Sequence, residues 1–159
     1  MSYLEKQVDA LMRLCVAEKD VDKDLVRQEL KRMLQLRKSG GMDPEQEVRK
    51  ILLELGAPDH LVGHPYVIRA ILLVVGDQLY INHITFGLYP QLAVEFNTTP
   101  ARVERAIRHL IEVTWVRGDI DVLDRYFGNT ISASRGKPTN GEFIARLANV
   151  VKARLREAA

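Results

Sequence analysis

Apolar residues along this chain recur at helical rather than strand spacing. Leu4, Val8, Leu11 and Cys15 follow one another at steps of three and four, and Val26, Leu30 and Met33 form a second short stripe. Two helices are therefore predicted within 1–38, joined by the charged turn EKDVDKD, where Asp22 or Asp24 can cap the second. Ser39-Gly40-Gly41 then reads as a linker, and Asp43-Pro44-Glu45 restarts a helix with a cap, a first-turn proline and acidic residues. The domain boundary is placed at about residue 42, separating a helical appendage and linker (1–41) from a larger unit (42–159).

Beyond it the pattern predicts helices over 43–55, from near Pro65 to about Asp77, and over 88–96, 100–116, 119–127 and 140–157. Residues 80–86 (YINHITF) mix β-branched and aromatic side chains, but a short helix or loop is expected because no convincing partner strand exists. Residues 128–138 read as a Gly/Ser/Pro-rich loop, and Thr139 with Glu142 as a capping box. The inward stripe of the last helix is read as Phe143, Leu147, Val150, Val151 and Leu155. The fold class is all-α, one compact multi-helix domain with an N-terminal helical pair.

At 159 residues and 18.1 kDa the chain can bury one sizeable core. The longest apolar run, Val67 to Val75, is interrupted by Arg69 and is too short to span a bilayer. The start, MSYLEKQVDA, lacks the basic and continuously apolar blocks of a signal peptide, so a cytoplasmic location is expected. A lone cysteine, Cys15, excludes an internal disulfide and a thiolate metal cluster. With a formal net charge of +2, bulk electrostatics do not announce a nucleic-acid partner. Local clustering does: Arg102, Arg105, Arg108 and Arg117 stand against Glu104 and Glu112 within 101–118.

That clustering lies on one helix. Thr99 suits the N-cap and Pro100 the first helical position. At 100° per residue Val103, Ala106, Ile107, Leu110, Val113 and Thr114 share one side; Glu104, Arg105, Arg108 and Glu112 lie opposite, with Arg102 and His109 at the margin. A short helix before it offers Leu92, Ala93 and Phe96 to brace Val103, Ala106 and Ile107. Short helix, tight turn and longer helix with outward arginines make the helix-turn-helix pattern.

The runs FNTTPARVERAIRHLIEVTWVRGDID, FG at 127–128, KPTNGEFIA at 137–145 and YP at 89–90 carry a more specific signal. Across Ile51 to Ala148 the chain resembles the C-terminal effector domain of the stage-zero sporulation response regulator of spore-forming Firmicutes. That resemblance implies a sequence-specific transcription regulator of double-stranded DNA, reading a short TGTCGAA-like box with helix 100–116. It implies base contacts from Glu104, Arg105 and Arg108: arginine forks suit guanine O6 and N7, and a carboxylate suits the cytosine amino group. Thr98, Thr99, Arg102 and His109 are then placed for phosphates, with Arg135 and Lys137 from the following loop. The resemblance also implies contact with RNA polymerase sigma factor at Gly118, Val122, Phe127, Ile131 and Ala148, and a homodimer on tandem sites.

Family members normally carry a phospho-accepting receiver domain. The 42 residues ahead of the effector-like part show no such pattern, so aspartyl-phosphate control is not expected: either the helical pair replaces it as a dimerising or partner-binding element, or the chain is constitutive. Val122 and Gly141 sit where the family tends to have serine. A competing reading is a non-enzymatic interaction protein that modulates a full-length regulator or RNA polymerase without binding DNA. No enzyme is expected, since no nucleophile, base and orienting acid group together. No cofactor or metal is expected either: His60 and His64 are four apart, but Gly63 and Pro65 should break the helix that would align them. Trp115, Tyr126, Phe127 and Phe143 read as core. The 132–136 loop lacks the strand context of a P-loop.

Overall fold

A computed structural model describes residues 41–128 and 136–158, together with Lys6, Asp24, Gln28 and Lys31. The stripes read in 1–38, Cys15 and the loop positions Ile131 and Arg135 lie outside the described residues.

The described elements are helices: α1 (Pro44–Glu54), α2 (Gly63–Gly76), α3 (Leu79–Asn82), a π-helical turn (Ile84–Leu88), α4 (Tyr89–Glu95), α5 (Pro100–Arg117), α6 (Ile120–Phe127) and α7 (Asn140–Glu157). The all-α expectation holds, and residues 80–86 run from α3 through His83 into the π turn. Among the described residues no helix is long and apolar enough to cross a membrane.

Three caps foreseen from the residue types are formed. The Asp43 carboxylate accepts from Glu45 N–H at 3.1 Å. The Thr99 hydroxyl accepts from Arg102 N–H at 3.3 Å. Thr139 and Glu142 bond reciprocally, at 3.2 and 2.8 Å. Each satisfies N–H groups that a helix start leaves without an internal partner.

Helix α2 is the axis of the domain, apolar almost all round, and it packs against α1, α5 and α7. Its buried Val67, Ile68, Ala70, Ile71, Leu72 and Val74 join Ile51, Leu52 and Leu55 of α1 and Phe143, Ile144, Leu147, Ala148 and Val151 of α7. Phe127 and Phe143 stack with centroids 5.3 Å apart, and Trp115 stands edge-on to Phe127 at 5.1 Å. The α7 stripe is thus shifted from the wheel: Ile144 and Ala148 face inward, while Val150 and Leu155 are only half-buried.

α2 begins at Gly63, two residues before Pro65, and neither residue interrupts it. His60 precedes this helix, so no helix aligns it with His64, although Gly63 opens α2 rather than interrupting it. The helix starts early because Gly63 lies against the backbone of α5: a Cβ there would sit 2.2 Å from the Ala106 carbonyl oxygen. His64 is carried into the interior while His60 stays exposed. Burial, helped by the nearby Arg49 charge and opposed by Asp59, holds the His64 pKa below its usual value.

The sign of the consequence is fixed. Above the unfolded histidine pKa of about 6.5 both states are neutral, and stability is unaffected by this group. Below it the unfolded chain takes up the proton first, so stability falls with pH down through the folded value. The urea midpoint is expected to drop between neutral pH and pH 5, and His64→Gln to flatten that drop. An identical slope in both proteins would exclude His64 as its source.

Candidate nucleic-acid interface

The candidate interface comprises α4 and α5, and its geometry starts from the turn between them. Asn97 adopts φ 52°, a left-handed conformation that asparagine tolerates better than most side chains. Thr98 N–H then reaches Ala93 O at 2.9 Å and Asn97 N–H reaches Val94 O at 3.4 Å, closing α4 with paired Schellman bonds. Thr99 follows in extended backbone and caps α5. The two helices are thereby set at a fixed angle over four residues.

Leu92 and Ala93 of α4 are buried with Val103 and Ile107 of α5, as expected of a brace. Phe96 departs from expectation. It is 36% exposed and pairs with Tyr66 of α2, ring centroids 4.7 Å apart. A second tie holds α4 to α2: the Glu95 carboxylate receives Arg69 through Nε at 2.6 Å and Nη2 at 3.0 Å, and Gln91 at 2.8 Å. Partial burial works against the Glu95 charge, but these donors outweigh it and hold its pKa below the usual range.

On α5 the buried side is Val103, Ile107, Leu110, Ile111 and Thr114. Ala106 and Val113 are half-buried, and Ile111 takes a place the wheel did not give it. The Thr114 hydroxyl donates to Leu110 O at 2.7 Å, which satisfies it inside the core.

The opposite side resolves into two stripes. Arg102, Arg105 and His109 are exposed, so Arg102 and His109 are not marginal. Glu104, Arg108 and Glu112 form the other stripe, facing residues 137–141 across an open cleft of about 470 Å³. Arg108 keeps 55% of its side chain exposed and pairs with Glu104 at 3.2 Å; Glu104 keeps 35% and is less outward than the wheel placed it. Lys137 Nζ meets the Glu112 carboxylate at 2.9 Å, and that hydrogen bond, then the lysine charge, holds the Glu112 pKa down.

At the head of the cleft Asn140 donates to the Tyr89 hydroxyl at 3.0 Å and to the Glu104 carbonyl oxygen at 3.1 Å. Burial pushes the Tyr89 phenol pKa up; the Asn140 hydrogen bond opposes it. Sequence reading assigned Asn140 no role, because its acceptors are 51 and 36 residues away along the chain.

The positions proposed for a protein partner fare unevenly. Phe127 and Ala148 are buried in the core and offer no side-chain surface. Gly118 is half-buried, pressed so closely that a Cβ would meet Leu55 O at 2.7 Å. Val122 is half-buried, whereas Val116 and Ile120 on either side of the α5–α6 corner are 85% and 78% exposed. Among the described residues, no group of three or more His, Cys, Asp or Glu is placed to hold a metal ion.

Comparison with known families gives a match over residues 48–151, to the model described as sporulation initiation factor Spo0A C terminal. The matched stretch runs from within α1 to within α7 and contains α4, the turn and α5 entire.

Proposed function

The chain belongs to the Spo0A C-terminal family, a family of DNA-binding domains of sporulation transcription factors, and from that premise we propose that it is a sequence-specific reader of double-stranded DNA. The observation that carries this reading is α5 itself. It is braced by α4 and holds Arg102, Arg105 and Arg108 of its N-terminal half, and His109 just beyond, exposed on the side away from the core. A helix presented in that way fits a major groove, with its first turns at the base edges.

Arg105, Arg108 and Glu104 are assigned to bases of a TGTCGAA-like box. Thr98, Thr99, Arg102, His109 and Lys137 are assigned to phosphates, and the sequence adds Arg135 to that set. Thr99 at the α5 N-terminus adds the favourable end of the helix dipole. The effector domain is taken to span 42–159, with 1–41 an appendage for dimerisation or a partner. A sigma-factor contact at the α5–α6 corner would rest on Val116 and Ile120 rather than on Phe127 or Ala148.

Fluorescence anisotropy on a TGTCGAA duplex and on a scrambled duplex, at several salt concentrations, tests the reading. Tighter binding to the box is expected, and Arg102→Ala should weaken both duplexes alike and reduce the salt slope by about 1. Equal affinity for the two duplexes would remove the specific-reader assignment. Absence of DNA binding together with co-purification of a regulator or polymerase would establish the interaction-protein alternative.

A further inference from the structure

We infer that Asn140 is a positioning residue for base reading: its side-chain amide sets the rotation of α5 about its own axis. The inference rests on α5 being the reading helix. One amide group joins three helices here. Nδ2 belongs to the first residue of α7, and its two acceptors are the Tyr89 hydroxyl at the first residue of α4 and the Glu104 carbonyl oxygen on α5.

The orientation of the amide is not arbitrary. A backbone carbonyl can only accept, so the group facing Glu104 O must be the NH₂. That carbonyl has two lone pairs, one engaged along the helix, and Asn140 approaches the other from the side. A lateral bond to a mid-helix carbonyl resists both rotation and sliding of α5. It acts at Glu104 itself, one residue before Arg105 and one turn before Arg108.

A residue that positions another must itself be held. The Thr139–Glu142 capping box fixes the backbone around Asn140. On the next residue, Gly141, a Cβ would meet Ile84 Cδ1 of the π turn at 2.7 Å, so the start of α7 packs closely on that turn. Tyr89, the amide's other partner, is buried.

Asn140→Asp tests this most directly. It keeps the shape but sets an acceptor against the Glu104 carbonyl, while a carboxylate in the first turn suits the α7 dipole and limits any loss of stability. Asn140→Ser, smaller and neutral, supplies a second variant free of added charge. The readout is the ratio of box to scrambled affinity, in which a general charge effect on DNA binding cancels.

Both variants are expected to keep helical circular dichroism and to lose about tenfold of that ratio, the size of one misplaced base contact. Tyr89→Phe, which leaves the bond to Glu104 in place, should keep most of it. A wild-type preference for the box that Asn140→Asp and Asn140→Ser retain in full would overturn the positioning role and leave the DNA-reader assignment standing. A wild type without preference would overturn that assignment, and this inference with it.

Discussion

Gly63→Ala is expected to destabilise the domain and to weaken DNA binding together, although the substitution lies on α2, outside the proposed interface. Alanine is ordinarily the better helix former by about 1 kcal/mol, so propensity alone predicts a gain. The geometry reverses the sign. The added Cβ would stand 2.2 Å from the Ala106 carbonyl oxygen, 2.8 Å from its carbon and 3.2 Å from Leu110 Cβ. Two of those three atoms are backbone, which cannot rotate aside as a side-chain tip would.

Relief therefore requires α2 and α5 to separate, and α2 also carries much of the packing of α1 and α7. Overpacking of this kind costs about 1–3 kcal/mol, and contact with backbone places the expected loss at the upper end. Gly87→Ala is the matched control: its Cβ would meet only His83 Cβ at 3.3 Å. The urea midpoint checks the first part and box affinity the second. A Gly63→Ala protein with the wild-type midpoint would show that the α2–α5 approach is not what fixes this glycine.

Much of the fold is legible along the chain because the physics that sets it is local. A threonine before a proline, an asparagine able to take positive φ and a Thr-x-x-Glu box each act over two to four residues, and Thr99, Asn97 and Thr139 behave as their chemistry dictates. What was missed depends on neighbours distant in sequence. Gly63 looked like a helix breaker; facing α5, it is the residue small enough to open α2. Phe96 reads as a brace for α5, but its ring pairs with Tyr66 of α2 and is left 36% exposed.

The candidate site divides in the same way. The wheel placed the arginines outward, yet it had no knowledge of residues 137–141, which lie alongside Glu104 and Glu112 and leave Arg102, Arg105 and His109 the more open stripe. As partner contacts Phe127 and Ala148 came from resemblance alone; Phe127 also reads as core, and its burial agrees with that reading, while no sequence signal marked Ala148 as buried.

The residue-by-residue test of base reading turns on a difference between the two arginines. Arg105 is exposed and Arg108 is paired with Glu104 at 3.2 Å, so their removal should read out differently. Arg105→Ala is expected to cost about 1–3 kcal/mol of box affinity and to relax one base preference, as loss of a bidentate guanine contact does. Arg108→Ala loses such a contact and also leaves the Glu104 carboxylate without its cation, facing the phosphates of the duplex. Its loss should be the larger.

Adding Glu104→Gln to Arg108→Ala should recover part of that loss by removing the unpaired charge, while the same change in wild type should weaken the preference for cytosine. Exposed pairs spaced four apart on a helix contribute only about 0.3–0.5 kcal/mol to stability, so the melting temperatures should barely move. A full single-base substitution series of the box, measured by competition, separates these cases. If Arg105→Ala lowers affinity equally for every base at every position, Arg105 is a phosphate contact, and the exposed stripe of α5 lies along the backbone rather than in the groove.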